Sequence, residues 1–169
     1  MRLLHTSDWH IGRTFHGHST DDHLAQVLAA IADLVRANGV DAVVVAGDVF
    51  DSSTPKADAF TMLNAAIHEI RRAGAAVVLT SGNHDGPARL GHMAEFASFG
   101  GVHVLTDLKN LARPVTFRDE HGPIHLYGIP YVHPEFLRAA YDGFDGGTHA
   151  DALSFAMDLV RDDAAARHA

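Results

Sequence analysis

The chain has 169 residues, with 13 Lys and Arg against 21 Asp and Glu, 14 histidines and no cysteine. That length suits one domain with a core of its own, and the lack of cysteine excludes disulfide staples and thiolate metal sites. The net charge of −8 argues against a broad basic face for nucleic acid. No apolar run approaches the ~20 residues that span a bilayer, and the start of the chain lacks a signal-peptide core, so a soluble, cytoplasmic protein with no membrane partner is expected.

The predicted elements alternate. Residues 2–6 form a short apolar strand ending at Ser7-Asp8. Leu24, Val27, Leu28, Ile31, Leu34 and Val35 then recur at helical spacing, with Ser19 as the expected N-cap and Gly39 as the stop. Residues 41–46 are a β-branched run, read as a strand buried on both faces. Pro55 opens a second helix carrying Phe60, Leu63, Ile67 and Ile70, which Gly74 ends, and residues 75–80 form the next strand. Pro87 opens a third helix with Leu90, Met93 and Phe96, stopped by Gly100-Gly101 before a strand at 102–105. Strand, helix, strand, helix, strand predicts a parallel α/β sheet. Residues 114–118 and 124–129 then flank Asp119-Glu120-His121-Gly122 as a hairpin, and a last helix runs from a Thr148 cap with Asp151 three residues on.

Each of the first three strands ends in a polar cluster: Asp8-Trp9-His10, Gly47-Asp48-Val49-Phe50-Asp51 and Gly82-Asn83-His84-Asp85. Ligands of open α/β sheets bind at the carboxyl ends of strands, so these clusters converge although they lie about 40 residues apart. Asp, His and Asn supply oxygen and imidazole donors without sulfur, which suits Mn²⁺, Mg²⁺, Fe or Zn²⁺. Asp8 and His10 are spaced to share a strand face and hold one ion. Asp48 is placed to bridge two ions, and Asn83 to hold the second. Two ions about 3.5 to 4 Å apart clamp the attacking and leaving oxygens of a phosphate ester. His84 is then free to act as general acid, with Asp51 orienting it through its other ring nitrogen. Gly47 and Gly82 allow sharp turns and close backbone approach.

The ordered set Asp-x-His, Gly-Asp-x-x-Asp, Gly-Asn-His-Asp resembles the signature of the calcineurin-like metallophosphoesterases. The longer strings Leu4-His5-Thr6-Ser7-Asp8-Trp9-His10, Val45-Ala46-Gly47-Asp48-Val49-Phe50-Asp51 and Gly128-Ile129-Pro130-Tyr131 are similar to the SbcD branch of that family. The resemblance implies a metallophosphoesterase sandwich with a βαβαβ core and a two-metal, Mn²⁺-dependent nuclease acting on DNA in double-strand-break repair. It also implies assembly with an SbcC-type SMC-like ATPase, and a homodimer through helices near 57–72 and 88–98. Carried over by motif, Asp8, His10, Asp48 and Asn83 are metal ligands and His84 is the catalytic histidine.

The family's later ligands, a His after a further strand and a Gly-His-x-His motif, have no counterpart. Gly91-His92 is followed by Met93-Ala94 in the third helix. Residues 1–169 are therefore expected to be the N-terminal portion of a longer phosphoesterase domain, weak in metal binding and activity alone. Two alternatives stand beside the nuclease. One is a phosphoesterase acting on a small phosphodiester or a phosphoprotein; the other is a non-catalytic dimerisation fragment. His16 and His18, in a loop after the first cluster, are candidates for phosphate contact. His5, His68, His92, His103, His121, His125 and His149 read as surface or packing residues, His133 as a weak candidate, and Trp9 as core.

Overall fold

A computed structural model describes residues 1–168. In chain order its elements are β1 (Leu3–Thr6), β2 (Thr14–Phe15), β3 (His18–Ser19), α1 (Asp21–Asn38), β4 (Ala42–Ala46), α2 (Ala57–Arg72) and β5 (Ala76–Thr80). They continue with α3 (Pro87–Leu90), α4 (Ala94–Phe99), β6 (Val102–Leu105), β7 (Val115–Asp119), β8 (Gly122–Leu126), α5 (Pro134–Ala140) and α6 (His149–His168). β1, β4, β5 and β6 form one sheet in that spatial order, and every pairing in it is parallel. The α/β fold expected from the alternation is present.

Because the strands are laid down in sequence, right-handed crossovers put the connecting helices on one face. There the sheet residues Val43, Val45, Val77 and Leu79 meet Leu28, Ile31 and Val35 of α1 and Leu63, Ala66 and Ile70 of α2. Each such fully buried aliphatic side chain contributes roughly 1.5–3 kcal/mol relative to its exposed state. Gly39 ends α1 in the left-handed conformation and donates its N–H to Val35 O. Trp9 joins this core at 5% exposure.

Residues 126–129 run along Val44, Val78 and Thr80 of the opposite face, and Phe117 of β7 sets its ring edge-on to His103 of β6 at 6.2 Å. Burial, then the Arg71 charge, push the His103 pKa below the ordinary histidine value. Beyond β8 a second, smaller core gathers Leu111, Val132, Leu137, Phe144, Ala152 and Ala156. Tyr127 ties α6 to this region by donating its hydroxyl proton to Asp163 Oδ2 at 2.6 Å.

Several expectations are corrected. The third helix is two short ones, α3 and α4, because Met93 takes a left-handed φ of +65° between them. α2 begins at Ala57 behind Lys56 rather than at Pro55. Ser19 belongs to β3; Thr20 takes the N-cap position of α1, although the Ser19 hydroxyl still accepts the Asp21 N–H. The loop holding His16 and His18 is a two-stranded ribbon, β2 with β3. Its turn residues His16 and Gly17 both have positive φ, as a primed two-residue turn requires. The Thr148 cap holds: its hydroxyl accepts the Asp151 N–H, and the Asp151 carboxylate accepts the Thr148 N–H in return.

Candidate metal centre

The three polar clusters meet at the carboxyl end of the sheet. Beyond β1 and β4 the chain goes on pairing as the site begins: His10 N donates to Asp48 O at 2.9 Å, Ile11 N to Val49 O at 3.0 Å, and Asp51 N to Ile11 O at 3.1 Å. The third loop packs against the second where Gly47 faces Gly82. A Cβ on Gly47, at φ +81°, would stand 3.1 Å from the Gly82 Cα, and one on Gly82 would overlap the backbone N and carboxylate of Asp48. Only glycine permits that approach.

One residue to which the motifs assign no role holds the loops together. Asp85, 5% exposed, accepts the backbone N–H groups of Val49 at 3.1 Å, Phe50 at 2.8 Å and Gly82 at 2.8 Å. It closes the Gly-Asn-His-Asp string, but nothing in the spacing announces a carboxylate turned inward onto three amides.

Around His10 the structure concentrates negative charge. Asp8 Oδ1 lies 3.7 Å and Asp48 Oδ2 3.8 Å from His10 Nε2, and Asp51 Oδ1 lies 3.1 Å from His10 Nδ1. The last contact is off the line of a ring N–H, and Nδ1 is buried with no hydrogen-bond partner among the described residues. His84 stands edge-on to His10, ring centres 4.9 Å apart, and one donor atom each from His10, Asp48 and His84 fall within 4.8 Å of one another. Asp48 is fixed by the His84 N–H, 2.9 Å from Oδ1. Three carboxylates within 3.8 Å of a single imidazole, with a buried unpaired ring nitrogen, make a nitrogen–oxygen donor set that fits a hard or borderline divalent cation.

The backbone is strained at the donors. Asp8, His10 and Asp48 all have positive φ, at 56°, 46° and 48°, and such strain clusters where surrounding structure holds side chains for function. Asp51 departs from expectation. Its carboxylate turns to His10 and, at 3.9 Å, to Arg13 Nε, while its main-chain carbonyl meets His84 Nδ1 at 3.1 Å. Asp51 thus steadies His84 through its backbone, because the loop bend that pairs Asp51 N with Ile11 O carries the side chain toward His10. A carbonyl can only accept, so His84 Nδ1 carries the ring proton and Nε2 keeps its lone pair.

Asn83, Asp8 and Asp48 line a cleft of about 420 Å³ whose far wall is Ile129, Pro130, Tyr131, Val132, His149 and Leu153. Tyr131 is fastened to the Asn83 loop by its N–H, 2.7 Å from Ser81 O. His149, read from the sequence as a surface residue, therefore faces the site; it arrives on α6, too far along the chain for local spacing to reveal it. Neither His16 nor His18 lines this cleft or enters the donor group.

The family profile of calcineurin-like phosphoesterases matches residues 1–149, and the chain belongs to that family. Among curated relatives, the SbcD component of nuclease SbcCD from Escherichia coli K12 is 31% identical over 146 residues, covering 86% of this chain and 36% of the relative. The Rhodobacter capsulatus protein of the same name is 36% identical, covering 100% and 44%, and the Staphylococcus saprophyticus one 28% identical, covering 91% and 40%. The chain spans about two fifths of the length of these relatives. No helix among the described residues is long and apolar enough to cross a membrane.

Proposed function

We propose that this chain is the N-terminal part of the phosphoesterase domain of a metal-dependent DNA nuclease that works in double-strand-break repair. The observation that carries the reading is the convergence of Asp8, Asp48 and His84 on His10 beside a cleft lined by Asn83. Asp8, His10, Asp48 and Asn83 are the residues that would hold two divalent ions, Mn²⁺ foremost. Such ions polarise a phosphodiester and supply hydroxide near neutral pH.

His84 moves a proton in this reading. Its Nδ1–H is held by the Asp51 carbonyl, so Nε2 is the atom that takes up a proton and hands it to the departing oxygen. Asp51 is a positioning residue, acting through its carbonyl on His84 and its carboxylate on His10.

The relatives' names support an SbcC-type ATPase partner and DNA as substrate. A homodimer through α2, α3 and α4 is supported by Met93, Phe96 and Phe99, which are 55%, 64% and 83% exposed. They border a cavity of about 390 Å³ lined by Phe60, Ile67 and Leu90.

The test measures hydrolysis of linear duplex DNA with Mn²⁺ by the natural full-length protein, beside cyclic nucleotides and p-nitrophenyl phosphate. His84→Ala is expected to lower DNA turnover about 10²- to 10⁴-fold, the usual share of a positioned acid. Unchanged DNA turnover would remove His84 from catalysis and favour a scaffold. Turnover of the small esters alone would make the protein a small-molecule phosphoesterase.

A further inference from the structure

The far wall of the cleft extends outward as a chain of rings. Tyr131 lies 5.5 Å from His149, His149 5.3 Å from His133, and His133 5.5 Å from Phe136, centre to centre. The rings are held in place. His149 Nδ1 meets Val132 O at 3.2 Å, its Nε2 lies 3.5 Å from the Tyr131 hydroxyl, and His133 Nδ1 accepts the Glu135 N–H at 3.4 Å. Tyr131 and His149 line the cleft. Phe136 lies outside it, 62% exposed beside the fully buried Leu137, and Tyr131 itself is 43% exposed. A single exposed Phe needs no explanation, whereas a ladder of fixed rings that begins inside the cleft is a surface with a direction.

We propose that this ladder is a stacking platform for the unpaired nucleobases of a single strand entering the cleft, with Tyr131 and Phe136 each taking one base. The proposal rests on the nuclease reading above and deepens it. A chain carrying 21 acidic against 13 basic side chains has little with which to track phosphates, whereas stacking on an aromatic face needs no charge and tolerates any sequence, because every base has a π-face. Pinned rings also lose little freedom when a base settles on them.

The test is made on the natural full-length protein with chelator present, so that binding is read without turnover. The probes are a single-stranded oligonucleotide carrying 2-aminopurine and an abasic strand of equal length. The protein is expected to quench the 2-aminopurine and to prefer the base-bearing strand. Tyr131→Leu and Phe136→Leu should each weaken binding about 5- to 100-fold, as loss of one stacked base does, and should relieve the quenching. Tyr131→Phe keeps the ring and should keep both. Melting curves confirm that each variant is folded. Equal affinity for base-bearing and abasic strands, or quenching untouched in both leucine variants, would overturn the platform while DNA hydrolysis stood. Failure of the nuclease reading looks different: small esters are turned over and no DNA of any form is cut, and the platform falls with it.

Discussion

The parallel sheet with α1 and α2, and the region after β6, are built by different rules. In the first, every strand runs into a polar loop and every helix returns over one face, so a repeated local pattern delivers Asp8, Asp48 and Asn83 to the same edge. In the second, a hairpin, one short helix and one long helix close around six small and medium apolar residues and deliver only the far wall of the cleft. The lesson is a division of labour. Donors sit on loops anchored by the large core, and the surface that frames them comes from a region whose packing was decided independently.

Core truncation tests that division most severely. Ile70 and Leu137 are both fully buried, one in each core, and Ile70→Ala and Leu137→Ala should each cost about 2–5 kcal/mol. Trp9, the one tryptophan, reports the first core alone, while circular dichroism reports both. We expect one urea transition by both probes, shifted by either variant. A Trp9 transition that Leu137→Ala leaves in place would split the molecule into two independent units.

A smaller effect sharpens how the first region holds its loops. In Asp85→Asn one carboxylate oxygen becomes an NH₂ group facing backbone N–H donors. Three amides now satisfied would then compete for a single oxygen. The expected loss is about 1.5–3 kcal/mol, read as a lower urea midpoint. A midpoint equal to wild type would show that backbone pairing alone holds the loops.

The smallest effect concerns the seam between the regions, where His103 meets Phe117. Burial first, and Arg71 second, depress the His103 pKa. Below the ordinary value of about 6.5 the unfolded chain therefore binds a proton that the folded chain resists. Stability should fall as pH drops through that window and level off once the folded value is passed. The Asp163 carboxyl, held low by hydrogen bonds from Arg167 and then Tyr127, contributes at a different pH. Its stabilisation is present above the ordinary carboxylate range and lost as pH falls through its folded value. Urea midpoints at about pH 7.5 and about pH 5.5 check the first effect: His103→Gln should reduce the difference between them, and an undiminished difference would place the sensitivity elsewhere.

The first region was legible in the sequence because its signals are local. Strand 41–46 is a run of β-branched residues, Gly39 stops a helix whose apolar spacing is plain, and glycines stand where loops must touch. The donor set followed from those strand ends. The second region was less legible. α5 has only seven residues, too few for periodicity to show, and its core is assembled from residues scattered over positions 111–156. Within the site, sequence order predicted which residues meet but not which atoms. Asp51 presents its carbonyl to His84 rather than its carboxylate, and His149 enters the cleft from a helix more than 60 residues beyond His84.

The left-handed backbone at Asp8, His10 and Asp48 has an evolutionary consequence. Non-glycine residues held in such conformations cost on the order of 1–3 kcal/mol each, and glycine at any of the three would release that strain. A lineage selected only to stay folded would drift toward glycine at 8, 10 and 48 and lose its donors on the way. Side chains kept at three strained positions are the mark of selection for something other than stability.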